Sequence, residues 1–240
     1  MEIYRSKSDD AIIAWQWCDP SLRNITNLIL RYVHYSKGIA LDVGCGTGRV
    51  SFALAERGFR VRGIDIEERA VELAREIAKR RKEEKIEFEV GDFGRHDLVQ
   101  PNCYDLVVCS EVLEHVAEYH RLIENMYAAL KPGGRIVVTV PFAPRKWSVL
   151  DEYSGHLRRF TVDQMKSDLN RFSEVKYMVT GFPFGRLVTL AYLAKTSFFR
   201  EKHSSDILWS NPGTQRIADI LYPFYRLDNL FAFTRLGDTL

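Results

Sequence analysis

The chain has 240 residues, of which 46% are hydrophobic and 28% are charged, and its formal net charge is +2 at neutral pH. This length suits one large domain, or one domain with a small addition, and allows a substantial core. The balance of 34 basic and 32 acidic side chains disfavours a nucleic-acid partner. The four cysteines form no C-x-x-C pair and residues 1–6 lack the apolar core of a signal peptide, so we expect reduced thiols and a cytoplasmic protein.

The first predicted element is a helical segment over residues 4–35, which precedes the first strand. It contains two tryptophans, Trp15 and Trp17. Two interpretations of these side chains are open. They pack against neighbouring elements, which we favour, or they line a binding pocket.

A glycine-rich turn follows the first predicted strand, with the sequence Leu41-Asp42-Val43-Gly44-Cys45-Gly46-Thr47-Gly48-Arg49. The apolar run over residues 38–41 before it and the amphipathic stretch over residues 50–56 after it predict strand, turn and helix. Alternate glycines allow positive φ angles and a close approach of the backbone to a ligand. The free N–H groups of the following helix point to the same place. Such a turn in an α/β sheet forms a pocket for a nucleotide-type cofactor.

The spacing of these glycines separates two kinds of cofactor. The dinucleotide pattern G-x-G-x-x-G needs a glycine as its sixth residue, but Arg49 stands there and Gly48 comes one place early. With Asp42 two residues before the first glycine, D-x-G-x-G-x-G resembles the first motif of class I S-adenosylmethionine (SAM) methyltransferases. The resemblance implies that Asp42 and the backbone of Gly44, Cys45 and Gly46 hold the methionine end of SAM. A glycine turn without a ligand is the alternative.

A second acid, Asp65, stands at the end of a predicted strand over residues 59–65 and is followed by Ile66. A carboxylate in this position can accept hydrogen bonds from both ribose hydroxyls of an adenosine. Asp65 can also cap the helix that is expected to begin near Glu67, and the two roles are compatible. The spacing from the glycines suits NAD as well as SAM. We place Asp65 and Ile66 in the cofactor site.

The next predicted strand alternates apolar and polar residues over positions 86–90 and ends at Gly91-Asp92-Phe93. In the methyltransferase family this position places an acid beside the adenine amino group and an apolar residue on the adenine ring. The resemblance therefore assigns Asp92 and Phe93 to the cofactor. A surface turn without a ligand is the alternative.

The remaining motifs of the resemblance arrive in order along the chain. A buried-type strand over residues 104–110 ends at Ser110 and Glu111, a helix is expected over residues 117–130, and Lys131-Pro132-Gly133-Gly134 precedes a strand over residues 135–140. The glycines can stop the helix with a left-handed cap. The resemblance, which covers residues 37–141, implies an α/β fold: a Rossmann-like, mostly parallel sheet of the seven-stranded type with helices on both faces. It also implies that Ser110 and Glu111 lie near SAM.

The sequence E-x-x-E-H after the fourth predicted strand carries the candidate chemistry. If a helix starts at Glu111, the side chains of Glu111, Glu114 and His115 share one face and can hold a divalent cation. The spacing resembles that of ubiquinone-pathway O-methyltransferases and of enzymes that methylate the terminal 2′-hydroxyl of small RNAs. Both have a later histidine near the acceptor, and His156 can fill that role here. The candidate metal ligands are thus Glu111, Glu114, His115 and His156.

Many methyltransferases with this motif use no metal, so a second interpretation stays open. In it, Glu111 lies near SAM and His115 is a base or a capping group. An oxygen acceptor must lose a proton, either to a general base or through metal coordination. The candidate catalytic residues are Glu114, His115 and His156. The function predicted from the resemblance is methyl transfer from SAM to an oxygen of a small or lipid-like molecule. The alternatives are a metal-dependent RNA 2′-O-methyltransferase and a non-catalytic SAM-binding partner protein.

The sequence departs from the family pattern after about residue 180. We divide the chain into an N-terminal helical segment (1–36), a SAM-binding core (37–180), an aromatic-rich helical region inserted after strand six (181–235) and the start of a truncated last strand (236–240). The sixth strand is expected over residues 173–180. Apolar stretches over residues 187–199 and 217–233 are interrupted by charges and are too short to predict a membrane span. Three interpretations of this region are open. It forms a cap over the acceptor, which we favour, or a homodimer interface, or a peripheral membrane contact through residues 182–233.

Overall fold

The computed structural model describes residues 7–33, 37–198, 212–234 and 239–240. The helices are α1 (Asp9–Cys18), α2 (Pro20–Tyr32), α3 (Arg49–Glu56), α4 (Glu68–Arg81), α5 (Tyr119–Ala129), α6 (Val149–Ser154), α7 (Val162–Asp168), α8 (Phe184–Phe198) and α9 (Pro212–Leu227). The strands are β1 (Gly38–Val43), β2 (Phe59–Asp65), β3 (Ile86–Val90), β4 (Tyr104–Ser110) and β5 (Leu130–Thr139). Short 3₁₀ helices cover His96–Leu98, Leu113–His115, Pro144–Lys146 and Asp228–Thr234.

The described residues fall into two compact units, each built from separate stretches of sequence. The first unit contains residues 26–140 and 155–158. The second unit contains the rest of the described chain on either side of these stretches. The division at residues 36, 180 and 235 that the sequence suggested stays a prediction.

The first unit is built on a parallel sheet with the strand order β3-β2-β1-β4-β5. Residues 40–43 of β1 and six of the seven residues of β4 are buried, which explains why both strands read as apolar runs rather than as alternating patterns. The order of the strands reverses at β1, between β2 on one side and β4 on the other. In such sheets the crevice outside the carboxyl ends of the strands at the reversal is where ligands bind. The parallel α/β fold is confirmed, and the glycine turn lies at this point.

The number of strands is lower than expected from the sequence. Five strands form the sheet among the described residues, not seven. Residues 173–180, the expected sixth strand, contribute only an isolated antiparallel bridge between Thr180 and Thr239, and Thr239 makes a second one with Pro141. Most of residues 171–178 are exposed, so neither face has the burial that holds a strand in register. Residues 236–238, the expected start of the last strand, lie outside the described residues.

The Pro-Gly-Gly motif does not cap a helix. Helix α5 ends at Ala129 and the chain is already extended at Leu130. Both glycines lie inside β5, where the pairing with β4 shifts between Tyr104 and Leu106. Gly133 has φ 79°, and a Cβ on Gly134 would lie 2.9 Å from the Lys131 carbonyl oxygen. The glycines therefore allow an irregularity in the strand, which sequence cannot distinguish from a helix cap.

The N-terminal segment is helical, but it consists of two helices rather than one. Asp19 separates α1 from α2, and its Oδ1 accepts hydrogen bonds from the backbone N–H groups of Ser21 and Leu22 at 2.8 and 3.0 Å. A carboxylate at this position satisfies free donors at a helix start, so Asp19 ends one helix and begins the next. Trp15 and Trp17 are both half-buried in α1. The predicted residues 4–6 and 34–35 lie outside the described part.

The aromatic-rich region is a packed part of the second unit. The buried carboxylate of Asp228 accepts hydrogen bonds from the N–H groups of Phe184 and Gly185 at 2.8 and 2.9 Å, and so caps α8. Arg23 of α2 pairs with Asp219 of α9 at 2.6 Å. The first contact joins two C-terminal elements, and the second ties α9 to α2. Among the described residues, no helix combines the length and the apolar character needed to cross a bilayer.

Candidate active site

The glycine turn after β1 adopts the conformation that its sequence predicts. Gly44, Gly46 and Gly48 have φ angles of 72°, 54° and 87°, all in the left-handed region. A Cβ built on Gly44 would lie 2.3 Å from Val112 Cγ2, so this glycine is also required for space. The N–H groups of Gly44 and Cys45 donate to the Ile64 carbonyl at 2.8 and 3.1 Å. The turn is therefore fixed to the end of β2.

Asp65 joins the glycine turn to the helix that follows β2. Its Oδ2 accepts a hydrogen bond from Gly46 N at 2.7 Å, and its Oδ1 accepts one from Glu67 N at 2.9 Å. Burial raises the pKa of the Asp65 carboxyl to about 6, against the hydrogen bond from Gly46, which lowers it. Glu67 is itself the N-cap residue of α4, so this second bond holds the chain at the entry to the helix and is not a bond to the first helical turn, and a capping role of Asp65 stays a prediction. A carboxylate oxygen can accept a second hydrogen bond, so the geometry also suits the predicted contact with ribose hydroxyls.

Asp42 anchors the turn from inside the protein. Its side chain is 1% exposed, and its Oδ2 accepts a hydrogen bond from the Ser51 hydroxyl of α3 at 2.6 Å. Burial raises the pKa of Asp42 to about 6, and the Ser51 hydrogen bond opposes that shift. Cys45 is also buried, and burial raises the pKa of its thiol well above the ordinary value. The Asp42 carboxyl thus links the end of β1 to α3, and a direct contact of Asp42 with SAM stays a prediction.

The residues predicted to surround adenine differ in accessibility. Asp92 is exposed, and its Oδ1 accepts a hydrogen bond from Gly94 N at 2.8 Å. The Phe93 side chain is 3% exposed, and its carbonyl accepts a hydrogen bond from Asn125 Nδ2 at 2.8 Å. Ile66, in contrast, is 66% exposed directly after β2. Ile66, rather than Phe93, thus presents an accessible apolar side chain at this edge of the sheet.

The end of β4 carries an unusual backbone conformation at Glu111. Its φ is 58°, in a region that residues other than glycine rarely adopt, and its N–H donates to the Thr139 carbonyl at 3.0 Å. Such conformations cost about 1–3 kcal/mol and cluster at functional sites. The condition for the shared helical face, a helix that starts at Glu111, is not met, because this φ is not helical and a single 3₁₀ turn, Leu113–His115, follows. Beside it, the Ser110 hydroxyl hydrogen-bonds to that of Thr139 at 3.0 Å.

Three of the four candidate metal ligands lie together in the first unit. One ligand atom from each of Glu114, His115 and His156 lies within 4.8 Å of the others, whereas Glu111 is not part of this group among the described residues. Glu114 is fully buried, and its Oε1 is 4.0 Å from His115 Nε2. The imidazole rings of His115 and His156 meet edge to face, with centroids 4.9 Å apart. The cluster thus combines one carboxylate with two imidazoles.

The tautomer of His115 follows from its partner. Its Nδ1 lies 3.2 Å from the Gly155 carbonyl oxygen, which can only accept a hydrogen bond. Nδ1 therefore carries the proton, and Nε2 keeps its lone pair toward Glu114. Burial lowers the pKa of His115 to about 4, and His156 lowers it further in the same direction. His115 is consequently neutral at neutral pH. Ligating histidines are typically oriented by such a bond from the other ring nitrogen to a carbonyl.

The two arginines after His156 are used within the protein. Arg158 donates to the Val116 carbonyl at 2.7 Å. Arg159 pairs with the buried Asp151 at 2.6 Å. No local pattern connects Arg159 to Asp151 or Arg158 to residue 116, so sequence reasoning missed both contacts.

Comparisons with known proteins agree with this geometry. Residues 35–180 match a family model described as a methyltransferase domain. Ubiquinone biosynthesis O-methyltransferases from Idiomarina loihiensis and Leptothrix cholodnii are 34% and 32% identical over 134 and 137 residues, which is 52% and 53% of this chain. The aligned regions are 55% and 58% of those relatives, so the chain spans little more than half their length.

Solved structures share the fold. A Haemonchus contortus phosphoethanolamine N-methyltransferase 2 in complex with SAM superposes with a TM-score of 0.65 at 20% identity, covering 92% of this chain and 55% of that one. The [4+2]-cyclase SpnF superposes with a TM-score of 0.62 at 21% identity, covering 86% and 78%. A cyclase on the same fold means that the fold alone does not assign methyl transfer. The match over residues 35–180 covers more than half of the sequence, and the chain therefore belongs to the methyltransferase-domain family, the class I SAM-dependent group that its glycine turn predicted.

Proposed function

We propose that this chain transfers the methyl group of SAM to an oxygen atom of a small, apolar molecule. The observation that carries this proposal is the cluster of Glu114, His115 and His156, in the same unit as the glycine turn. A hydroxyl acceptor must lose its proton as the new bond forms, and this cluster supplies groups that can take it. The likeness to ubiquinone biosynthesis O-methyltransferases supports an oxygen acceptor.

The residues around the glycine turn fit SAM. Gly44 leaves no room for a Cβ, and the carboxylate of Asp65, which is bonded to Gly46 N in the same turn, has acceptor capacity for ribose hydroxyls. Ile66 and Asp92 offer an exposed apolar surface and an exposed carboxylate for the adenine. When bound, SAM supplies a methyl group on a sulfonium, which is already activated for displacement by a nucleophile. The protein then has to align the acceptor oxygen with that carbon and exclude water.

The two histidines have different parts in this mechanism. With its pKa lowered to about 4, His115 is too weak a base to take a proton efficiently at neutral pH. His156 is half-exposed and can reach an incoming acceptor, so it takes the hydroxyl proton. The buried carboxylate of Glu114, within the same 4.8 Å group, stabilises the positive charge that forms on the imidazole.

The same three side chains also fit a divalent cation. Two imidazole nitrogens and one carboxylate oxygen are the donor set of many catalytic zinc sites, which keep one position open. The bond from His115 Nδ1 to the Gly155 carbonyl holds Nε2 in the tautomer that binds metal. A cation held there would lower the pKa of an acceptor hydroxyl, an alternative to proton transfer to His156.

An assay of methyl transfer from labelled SAM tests both forms of the proposal. Acceptors are a catechol with an isoprenoid tail and the same catechol without it, each with and without EDTA and added Zn²⁺ or Mg²⁺. We expect transfer to oxygen, and a loss of about 100-fold or more in kcat for His156→Ala. His96→Ala, an exposed histidine of the same unit, is the control. Absence of transfer to any hydroxyl, or an unchanged His156→Ala, would contradict the proposal.

The response to the chelator decides between the two mechanisms. If EDTA abolishes transfer and the metal restores it, the cluster binds a cation, and Glu114→Gln should raise the metal concentration needed. If EDTA has no effect, His156 acts as the base. The preference for the tailed acceptor tests whether the acceptor is apolar, which is supported by the side chain of Leu157, 55% exposed and adjacent to His156 in the chain.

We also propose that α9 rests on a lipid surface. One face of this helix carries four exposed apolar side chains three or four residues apart, namely Ile217, Ile220, Phe224 and Leu227. The exposed Arg216 and Arg226 can contact anionic headgroups. Such an arrangement suits a helix lying in the interface plane, and it brings the enzyme to apolar acceptors.

Flotation with vesicles tests this contact. Binding is expected with phosphatidylglycerol vesicles, weaker binding with pure phosphatidylcholine, and loss of binding in Ile220→Glu. Tyr127→Glu, on an exposed position of α5, serves as the control. If the wild type stays with the soluble fraction and Ile220→Glu instead converts a dimer to a monomer in sedimentation, the face is a homodimer interface and the lipid proposal is wrong.

A further inference from the structure

The short segment that carries His156 is held against the loop after β4 by several contacts. The segment, residues 155–158, contains no helix or strand. The Leu157 N–H donates to the Glu114 carbonyl at 2.8 Å, and the Gly155 carbonyl lies 3.2 Å from His115 Nδ1. These contacts lie on both sides of His156 along the chain. The position of the His156 ring therefore depends on how firmly this segment is held.

Arg158 makes the largest number of these contacts. Its Nη1 donates to the carbonyls of Val116 and Ala117 at 2.7 and 3.3 Å, and its Nη2 donates to that of Ala117 at 3.3 Å. The guanidinium carbon also lies 4.8 Å from the centroid of the Tyr119 ring. One side chain thus spans the residues that directly follow His115, from the end of the 3₁₀ turn to the start of α5.

These contacts depend on the shape of the guanidinium. Its planar fork can donate to two neighbouring carbonyls while its face lies over an aromatic ring. A lysine ammonium has the same charge but no planar fork, so it can keep only part of this arrangement. The carbonyls of Val116 and Ala117 lie directly after the 3₁₀ turn, and the guanidinium is the side-chain donor that both share.

We propose that Arg158 is a positioning residue, which keeps His156 beside His115 and Glu114 by locking residues 155–158 onto the loop after β4. The effect on turnover rests on the proposed role of His156 in methyl transfer. The effect of Arg158 on the mobility of residues 155–158 does not depend on that role. Without the guanidinium, the bonds to the carbonyls of Val116 and Ala117 are lost, and the backbone bond from Leu157 to Glu114 alone holds the segment less firmly, so the segment opens more often.

Amide hydrogen exchange tests the lock directly. In Arg158→Ala, the Leu157 amide should exchange at least about tenfold faster, while the Val107 amide in the buried strand β4 keeps its protection. In Arg158→Lys, the exchange rate of the Leu157 amide should lie between those of the wild type and Arg158→Ala. Arg121→Ala, an exposed arginine of α5, is the matched control and should leave Leu157 protected. Unchanged exchange at Leu157 in both Arg158 variants would overturn the proposal.

A double-mutant cycle tests the consequence for catalysis. Arg158→Ala is expected to lower kcat by about 10- to 100-fold with unchanged SAM affinity, because a displaced catalytic group costs that much. In a His156→Ala background the same change should have no further effect, since Arg158 acts only through His156. An equal additional loss in that background would mean a general structural role and overturn the proposal. If His156→Ala alone changes nothing, the proposed function fails, while the exchange measurement still decides on the lock.

Discussion

Replacement of Asp65 by alanine is expected to weaken SAM binding by about 100-fold or more. Hydrogen bonds to a charged acceptor contribute about 1.5–3 kcal/mol each, and about 1.4 kcal/mol corresponds to a tenfold change in affinity. The carboxylate would accept from two ribose hydroxyls, and it also holds Gly46 N in the turn at 2.7 Å. The variant therefore loses both the ligand contacts and part of the support of the glycine turn.

Calorimetric titration with SAM and S-adenosylhomocysteine measures this effect. Asp65→Asn, which keeps one acceptor oxygen, should lose less affinity than Asp65→Ala. Asp97→Ala removes an exposed acid of the same unit and should bind SAM normally. Thermal unfolding shows whether each variant is folded. A folded Asp65→Ala protein with wild-type affinity for both ligands would refute the ribose contact.

The pKa of Asp65 makes the same contact depend on pH. Because burial raises this pKa from 3.8 to about 6, the carboxyl gains a proton as the pH falls through 6 and no longer accepts from both hydroxyls. SAM affinity should then fall below pH 6, at most tenfold per pH unit. The stability of the free protein should instead rise as the pH falls from about 6 to 4, because the folded state, with the higher pKa, takes up the proton before the unfolded chain does. Asp42 has a similar pKa and could cause the same pH dependence. If Asp65 is the titrating group, the SAM affinity of Asp65→Asn should no longer depend on pH in this range.

Local chemistry explains why the glycine turn and the strands beside it could be predicted from the sequence. The turn at Gly44 needs positive φ angles, an apolar run forms β1, and Asp65 stands at the end of β2, so neighbouring residues determine each feature. The order of the motifs along the chain then gave the parallel sheet. The burial of Phe93 was less predictable, because Asn125, which hydrogen-bonds to its carbonyl, lies 32 residues away in the sequence.

The candidate catalytic cluster was found for a reason that the structure does not support. The sequence grouped Glu111, Glu114 and His115 on one helical face, but Glu111 is not helical and lies outside the cluster. His115 and His156 meet because the Gly155 carbonyl, 40 residues away in the chain, hydrogen-bonds to His115. Contacts of this kind depend on tertiary packing, which the spacing of motifs does not encode. The missing sixth strand has a similar cause, because its residues find no continuous partner in the described chain.

The second large effect is expected on stability, at the ion pair of Asp151 and Arg159 in the second unit. The pair is bidentate, with Arg159 Nε and Nη2 donating to the two carboxylate oxygens at 2.6 and 3.0 Å. The side chains are 0% and 11% exposed. The carboxylate also accepts from the N–H and hydroxyl of Ser148, and Arg159 donates to the Phe142 carbonyl. Both carboxylate oxygens and all three guanidinium nitrogens are therefore hydrogen-bonded, which is the condition under which a buried charge is tolerated.

Asp151→Ala leaves the guanidinium buried without its counter-charge, and removing one partner of such a pair costs roughly 3–5 kcal/mol. Urea unfolding, followed by circular dichroism, measures the loss. Glu76→Ala breaks the exposed pair with Arg80 and should cost well under about 1 kcal/mol. Replacing both partners, in Asp151→Leu with Arg159→Met, should recover much of the stability, since the cost comes from the unpaired charge rather than from the lost attraction. If the single Asp151→Ala variant unfolds at the wild-type urea concentration, the pair does not stabilise the fold, and the segment between residues 148 and 160 must be held by its other contacts.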